Sequence, residues 1–157
     1  MRVEVLDRLP GATSVIGAAA VSDFRPATVA PEKLRRTGNL TLELEPTPDI
    51  LAEVAAHRDP ATLLVAFAAE TESASMIDNG RAKLRRKGAD VIVVNDVSQP
   101  GIGFDADDNA ATILSATDQI DLPAMHKSAM AGRILDQIVT LRATARPFDR
   151  LPAVRAD

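Results

Sequence analysis

The residues best suited to chemistry in this sequence are cations spaced to meet phosphate. Lys33, Arg35 and Arg36 close the run AAAVSDFRPATVAPEKLRR, which spans Ala18–Arg36. A second set, Arg81, Lys83, Arg85, Arg86 and Lys87, falls in one short segment. Lys83 and Lys87 are four apart, so on a helix they share a face and can reach one phosphate chain together. Each set has two readings. The first is a solvated charge run, or a cationic loop that covers a polyphosphate on arrival. The second offsets the dipole at a helix C-terminus, or contacts phosphate.

Smaller signals surround these cations. Gly17, Ala18, Ala19 and Ala20 let a ligand lie against backbone, although close strand–helix packing gives the same pattern. Asp23 and Arg25 form either a loop ion pair or ligand contacts. Asn95-Asp96, with Gly103, Phe104, Asp105, Asp107 and Asp108, can line a pocket, hold a cation or make an acidic turn. The acidic run is not an EF-hand, for it lacks the glycine and glutamate that such a loop needs. His57 and His126 lack metal-pair spacing and suit solvent-facing or capping roles. No G-x-S-x-G, Walker A or G-x-G-x-x-G motif is present.

The elements that must position these residues follow from hydrophobic period. Arg2–Leu9 reads as a short helix or an edge strand, ended by Pro10-Gly11. Its position suggests a chain that opens mid-domain. Thr13–Ala20, Thr62–Ala69 and Asp90–Val94 are apolar runs fit for buried parallel strands. Asn39–Glu45 alternates Leu40, Leu42 and Leu44 with polar residues, as a half-exposed strand at an edge or a dimer seam does. Thr47-Pro48-Asp49 starts a helix to about residue 58, with Thr47 as its cap, burying Ile50, Leu51, Val54 and Ala55. Thr71 caps another through Lys87, stopped by Gly88. Ala111–Ser115 and Gln119–Leu122 make a strand pair. A last helix over His126–Ala143 places Met130, Ile134, Ile138 and Leu141 on one stripe. Beyond Arg146 a frayed tail is expected.

Strands alternating with helices predict an α/β fold, a three-layer sandwich with a mainly parallel sheet. In such sheets ligands sit beyond the carboxyl ends of the strands. The segments there are Ala19–Arg36, Phe67–Thr71 and Asn95–Asn109, so three strand ends converge on one candidate site.

Composition bounds the partners. The 157 residues form a single domain, aliphatic at its core, with no Trp or Tyr and only four Phe. Aromatic stacking on nucleic acid is therefore disfavoured, as is a nucleic-acid partner by the net charge of −4. With no cysteine there is no disulfide, thiolate nucleophile or zinc-thiolate site. No signal peptide and no apolar run of about 20 residues is found, so no membrane partner and a cytoplasmic location are expected.

The run AAAVSDFRPATVAPEKLRR, followed by TPDIL, FAAET, RAKLRRKGADVIVVNDVS and GFDADDNAATIL, resembles phosphopantothenoylcysteine synthetase, the ligase half of the bifunctional bacterial coenzyme A biosynthesis protein. The likeness covers nearly the whole chain in consistent order. It implies a Rossmann-like fold and a CTP- and Mg2+-dependent ligation of 4′-phosphopantothenate to cysteine through an acyl-cytidylate. By that likeness Gly17, Ala18, Ala19 and Asp23 contact CTP, and Lys33 is the essential loop lysine. Pro48, Asp49, Ile50 and Leu51 supply contacts at a helix start, while Phe67, Lys83 and Lys87 complete the nucleotide site. The likeness does not assign the metal ligands. It further implies a homodimer and a fused or partner decarboxylase domain, with FMN not expected in this part.

The sequence departs from that family in three places. The loop has arginines at 35 and 36, where lysines are frequent, and the stretch between Glu70 and Lys83 is about two residues longer. The family's Gly-rich first strand-turn and its Asn-containing loop, which engage the phosphopantothenoyl group, have no counterpart here. A non-catalytic nucleotide-binding or dimerisation fragment is therefore the alternative reading. A dinucleotide reductase is disfavoured for want of a Gly-rich fingerprint.

Overall fold

A computed structural model describes residues 1–36, 38–70, 74–97 and 106–144. The elements run α1 (Arg2–Asp7), β1 (Ser14–Gly17), β2 (Phe24–Pro26), β3 (Leu44–Pro46), α2 (Ile50–His57) and β4 (Leu63–Glu70), then α3 (Met76–Lys87), β5 (Val91–Asp96), β6 (Asp108–Ser115), β7 (Gln119–His126) and α4 (Lys127–Thr144). Five strands form one sheet in the order β1-β4-β5-β6-β7. β1, β4 and β5 pair in parallel, whereas β6 runs antiparallel to both β5 and β7. Four of the five strands thus point one way, with β6 reversed. The mainly parallel three-layer sandwich expected from the strand–helix alternation is the fold observed.

The layers follow from β4, whose side chains alternate between two apolar faces. Leu63 and Val65 join Val91, Val93, Ile113 and the α4 residues Met130, Ile134 and Ile138. Leu64 packs with Val54 of α2, while Ala66 and Ala68 pack with Leu84 of α3, Ile92 and Val94. A strand buried on both sides needs no polar face, which is why LLVAFAA reads as a continuous apolar run. Helix α3 lies close to the sheet at Gly80. A Cβ there would stand 2.7 Å from Val94 Cγ2 and 2.8 Å from Leu114 Cδ1. Gly88 ends the helix in the left-handed region at φ 59°, and its N–H returns to the α3 carbonyls.

Several local expectations are corrected. Thr13–Ala20 yields a strand only over Ser14–Gly17, and as an edge with one neighbour it is half-buried and leaves Ile16 exposed. Asn39–Glu45 yields strand only from Leu44, in a separate two-stranded ribbon with β2, and Leu40, Leu42 and Leu44 are all exposed. An alternating pattern specifies a strand face but not a surface to bury it, and none covers these leucines among the described residues. Thr47 does not cap α2, since its hydroxyl donates to the Ser22 carbonyl at 2.5 Å and Asp49 accepts from Ala52 N–H instead. Of the α2 positions expected in the core, Val54 alone is fully buried; Ile50, Leu51 and Ala55 are partly so. α3 begins at Met76 after Ser75, and Thr71 lies outside the described residues. So do Gly103, Phe104, Asp105 and the tail beyond Arg146, while Asp108 already belongs to β6. Of the helix and edge-strand readings of Arg2–Leu9 the helix is observed, over Arg2–Asp7, and the last two strands and α4 form where expected.

At the amino ends of the parallel strands Arg58 locks three elements together. Its side chain keeps 8% exposure. It donates to the Asp90 carboxylate, to Thr62 O at 2.9 Å and to Gly88 O at 2.9 Å. Asp90 in turn accepts Leu64 N–H at 2.7 Å. Arg58→Ala removes the cationic member of a largely buried pair and two hydrogen bonds to backbone carbonyls. Urea unfolding should register a loss of about 3 kcal/mol for this substitution, against well under 1 kcal/mol for removing the exposed Arg8–Glu4 pair.

Candidate functional site

The candidate site lies on the opposite rim, at the carboxyl ends of β1 and β4. Gly17 closes β1 against the first turn of α2: a Cβ on it would stand 2.6 Å from Leu51 Cδ2. A larger residue here would have to displace the Leu51 side chain, so close packing is one role of Gly17. Ala18 and Ala19 continue past the strand end and are exposed, leaving backbone open to a ligand.

Two ion pairs lie on α3 beside this contact. Lys87 Nζ meets Asp49 Oδ2 at 2.6 Å, and Lys83 Nζ meets Glu70 Oε1 at 2.5 Å. The i, i+4 spacing places both lysines on the face that approaches α2 and the end of β4. Asp49 therefore has two duties, accepting Ala52 N–H as the α2 N-cap and holding Lys87. Burial is the largest single influence on its carboxyl and pushes the pKa up. The hydrogen bonds from Lys87 and Ala52 N–H, with the charges of Lys87 and Arg86, together outweigh it and hold the pKa below the ordinary value. A carboxylate already placed at this helix start repels a phosphate there. It suits instead a ligand edge that donates hydrogen bonds.

Residues 22–26 are tied to the segment that leads into α2. Thr47 N–H donates to Asp23 O at 2.9 Å, and β2 pairs with β3. Arg25 pairs with Glu45 at 2.6 Å, not with Asp23, because cross-strand register sets the two opposite each other. The Asp23 side chain is exposed. Lys33, Arg35 and Arg36 are exposed in irregular backbone, and no salt bridge within the described residues involves them.

Phe67 is on the other face of the sheet, packed against the α4-side core. Thus Gly17, Asp49, Ile50, Leu51, Lys83 and Lys87 converge on one side, while Phe67 stands across the strand end. Asn95 shares Phe67's face by register, and its Oδ1 is buried without a hydrogen-bond partner. An unpaired buried amide oxygen at a strand end is costly and fits a ligand contact. The Asn95-Asp96 signal in sequence pointed here. Glu70 was missed as a site residue, because a single glutamate at a strand end carries no pattern. His57 bonds Glu53 O and His126 bonds Ser128, the local roles expected of them.

Among the described residues no three His, Cys, Asp or Glu side chains gather to hold a metal ion. Both site carboxylates are engaged by lysines. Glu70 and Asp49 are thus arranged as lysine partners and not as a preformed cage for a hard cation.

Residues 1–141 match the DNA/pantothenate metabolism flavoprotein C-terminal domain family. The chain belongs to that family. It is 43% identical over 129 residues to the coenzyme A biosynthesis bifunctional protein CoaBC of Escherichia coli K12, covering 80% of this chain and 31% of that protein. The Mycobacterium bovis CoaBC is 43% identical over 145 residues, 85% and 34% of the two chains. Among solved structures, the C-terminal domain of a CoaBC superposes with TM-score 0.72 at 31% identity, covering 92% of this chain and 62% of that one. The chain thus spans about a third of the length of these curated relatives. Among the described residues no helix is long and apolar enough to cross a membrane.

The capping role of Asp49 can be read through pH. Its carboxyl is held below the unfolded value of 3.8, so its stabilisation is complete above that value and is lost as pH falls through the folded one. Asp49→Asn should lower stability by well under 1 kcal/mol at neutral pH, since asparagine caps almost as well. That deficit should fade below about pH 4 as the wild-type carboxylate protonates. Denaturant midpoints from pH 3 to 7 measure it, and a deficit that stays constant through acid would remove the carboxylate from this role.

Proposed function

We propose that this chain carries the nucleotide-binding portion of a phosphopantothenate–cysteine ligase of coenzyme A biosynthesis, using CTP. The observation that carries the reading is the convergence, at one rim of the sheet, of Gly17 against Leu51 with Lys83 and Lys87 on the adjoining face of α3. Family membership and the names of the relatives supply the reaction class.

In this reading the carboxylate of 4′-phosphopantothenate attacks the α-phosphorus of CTP. The bond between the α-phosphorus and the β-phosphate oxygen breaks, so an acyl-cytidylate forms and the β- and γ-phosphates leave as pyrophosphate. The cysteine amine then attacks the acyl carbon, loses a proton and displaces CMP, leaving the amide. Most of the demand is positional, holding two anions together while charge shifts to the leaving pyrophosphate. Gly17, Ala18 and Ala19 serve as backbone floor. Pro48, Asp49, Ile50 and Leu51 present a polar edge to the base, and Asp49's negative charge suits the amino group of cytosine. Asp23 reads the nucleoside, and Phe67 with Asn95 walls it from the other face. Lys83 and Lys87 meet the phosphates, and Lys33 is the essential residue that comes over them. Mg2+ would supply positive charge to offset the triphosphate, and such a hard cation is ordinarily held through substrate phosphates rather than by an all-protein cage.

The chain spans about a third of the length of the curated relatives it matches. A non-catalytic nucleotide-binding module is therefore the second reading. Homodimerisation goes with either one, and it is favoured by the exposure of Phe24, Val29, Leu34, Leu40, Leu42 and Leu44 along one excursion of the chain.

Calorimetry should find CTP bound in preference to ATP, GTP and NADH; equal affinities, or none, would remove the nucleotide reading. Lys33→Ala should reduce pyrophosphate release by at least about a hundredfold when the chain is assayed together with the remaining part of a relative such as the Escherichia coli CoaBC, with unchanged far-UV circular dichroism. Undiminished release would strip Lys33 of its role. Sedimentation should give a dimer mass for the wild type and a monomer mass for Leu42→Asp; two equal masses would argue against that seam.

A further inference from the structure

Glu70 is the last residue of β4, and its side chain keeps 12% exposure. One carboxylate oxygen takes Lys83 Nζ at 2.5 Å and the other takes Asn79 Nδ2 at 3.2 Å. Asn79 Nδ2 also reaches Ser75 Oγ at 3.2 Å. Donors from successive turns of α3 thus hold one carboxylate at the rim where ligands of such sheets bind. A lysine that only offset the helix dipole would need no such partner. It would serve equally well in water near the last carbonyls. Nor does the sheet need the charge, because a neutral amide would accept from Asn79 as well. A fixed negative charge beside a phosphate contact opposes anions, and it does so from inside the protein, where it never diffuses away.

We propose that Glu70 is a positioning residue that acts through Lys83. It holds the ammonium toward the strand end when no phosphate is present and competes with phosphate for it, which limits how tightly the site retains a phosphate chain. The inference rests on Lys83 being a phosphate contact. In a ligation that liberates pyrophosphate, such a counter-charge speeds departure of the product by offering the lysine a replacement partner.

Inorganic pyrophosphate is the probe, since it carries no base and tests the phosphate contacts alone. Glu70→Gln keeps the shape and an acceptor for Asn79. At low salt it should bind pyrophosphate about tenfold more tightly than wild type, the scale of one charge-assisted hydrogen bond. The gain should shrink as salt rises. Lys83→Met in the Glu70→Gln background should erase it, an effect that a merely structural glutamate would not produce. Asn79→Ala loosens the carboxylate without removing its charge and should give a smaller gain, which keeps the test sound if Glu70→Gln folds poorly. Unchanged or weaker pyrophosphate binding in Glu70→Gln, or a gain that survives Lys83→Met, would overturn the proposal while leaving CTP selectivity standing. Loss of CTP selectivity with the pyrophosphate gain intact would instead overturn the nucleotide reading and leave Glu70 in its role.

Discussion

Burial of β4 and β5 on both faces is the constraint from which the rest of this molecule follows. Leu64, Val65 and Val91 through Val94 are almost fully excluded from water. Each such side chain contributes about 1.5–3 kcal/mol by leaving solvent. Neither face can be left open, so α2 and α3 must lie on one side and α4 on the other. Once they do, right-handed crossovers bring the start of α2 to the end of β1, and lay α3 beside the end of β4. The rim with Gly17, Leu51, Lys83 and Lys87 is a by-product of covering the sheet. The clamp of Arg58 on Asp90 fixes the other rim, so the helices are held at the end away from the candidate site.

Electrostatics divide the candidate rim into unlike parts. At the α2 start the Asp49 carboxylate occupies the place an anion would take. Lys83 and Lys87, one turn apart, provide the anion-attracting part. Each lysine is paired with a carboxylate from another element, Glu70 or Asp49. Such pairs gain little in net stability, because desolvation offsets most of the attraction. They do fix where the ammonium groups point, beside Glu70 at the end of β4 and Asp49 at the start of α2.

What was legible in the sequence follows the range of the interactions involved. β4, β5, α4 and the β6–β7 pair were readable because apolar period and burial agree within each segment. Gly88 as a helix stop was readable because its backbone conformation is local. Within the excursion between β1 and α2, the stretch from Asn39 to Glu45 was misjudged: its alternation promised a strand face, yet Leu40, Leu42 and Leu44 stay exposed among the described residues. Caps misled in a different way. Thr47 and Asp49 both fit the start of α2, and the choice fell to Asp49 because Thr47 was claimed by Ser22, 25 residues earlier in the chain. The lysine spacing on α3 was legible. The identity of the lysines' partners was not, since Glu70 and Asp49 arrive from other elements.

The same long-range logic bears on the excursion itself. Ser22, Asp23 and β2 are held to Thr47 and β3, so this stretch leaves the sheet after β1 and returns directly into α2. Its base is therefore fixed to the candidate rim at both ends. Lys33, Arg35 and Arg36 lie between those anchors, in irregular backbone. Pro26 and Pro31 restrict the loop without giving it ladder hydrogen bonds. A loop tethered at both ends but unpaired between them has a limited sweep, and the rim is within the region its anchors define. Exposed leucines on the same loop add a second demand, because apolar side chains in water favour a partner surface. Whatever covers those leucines also restricts where Lys33 can go. The exposed leucines and the three cations thus lie on one segment of chain.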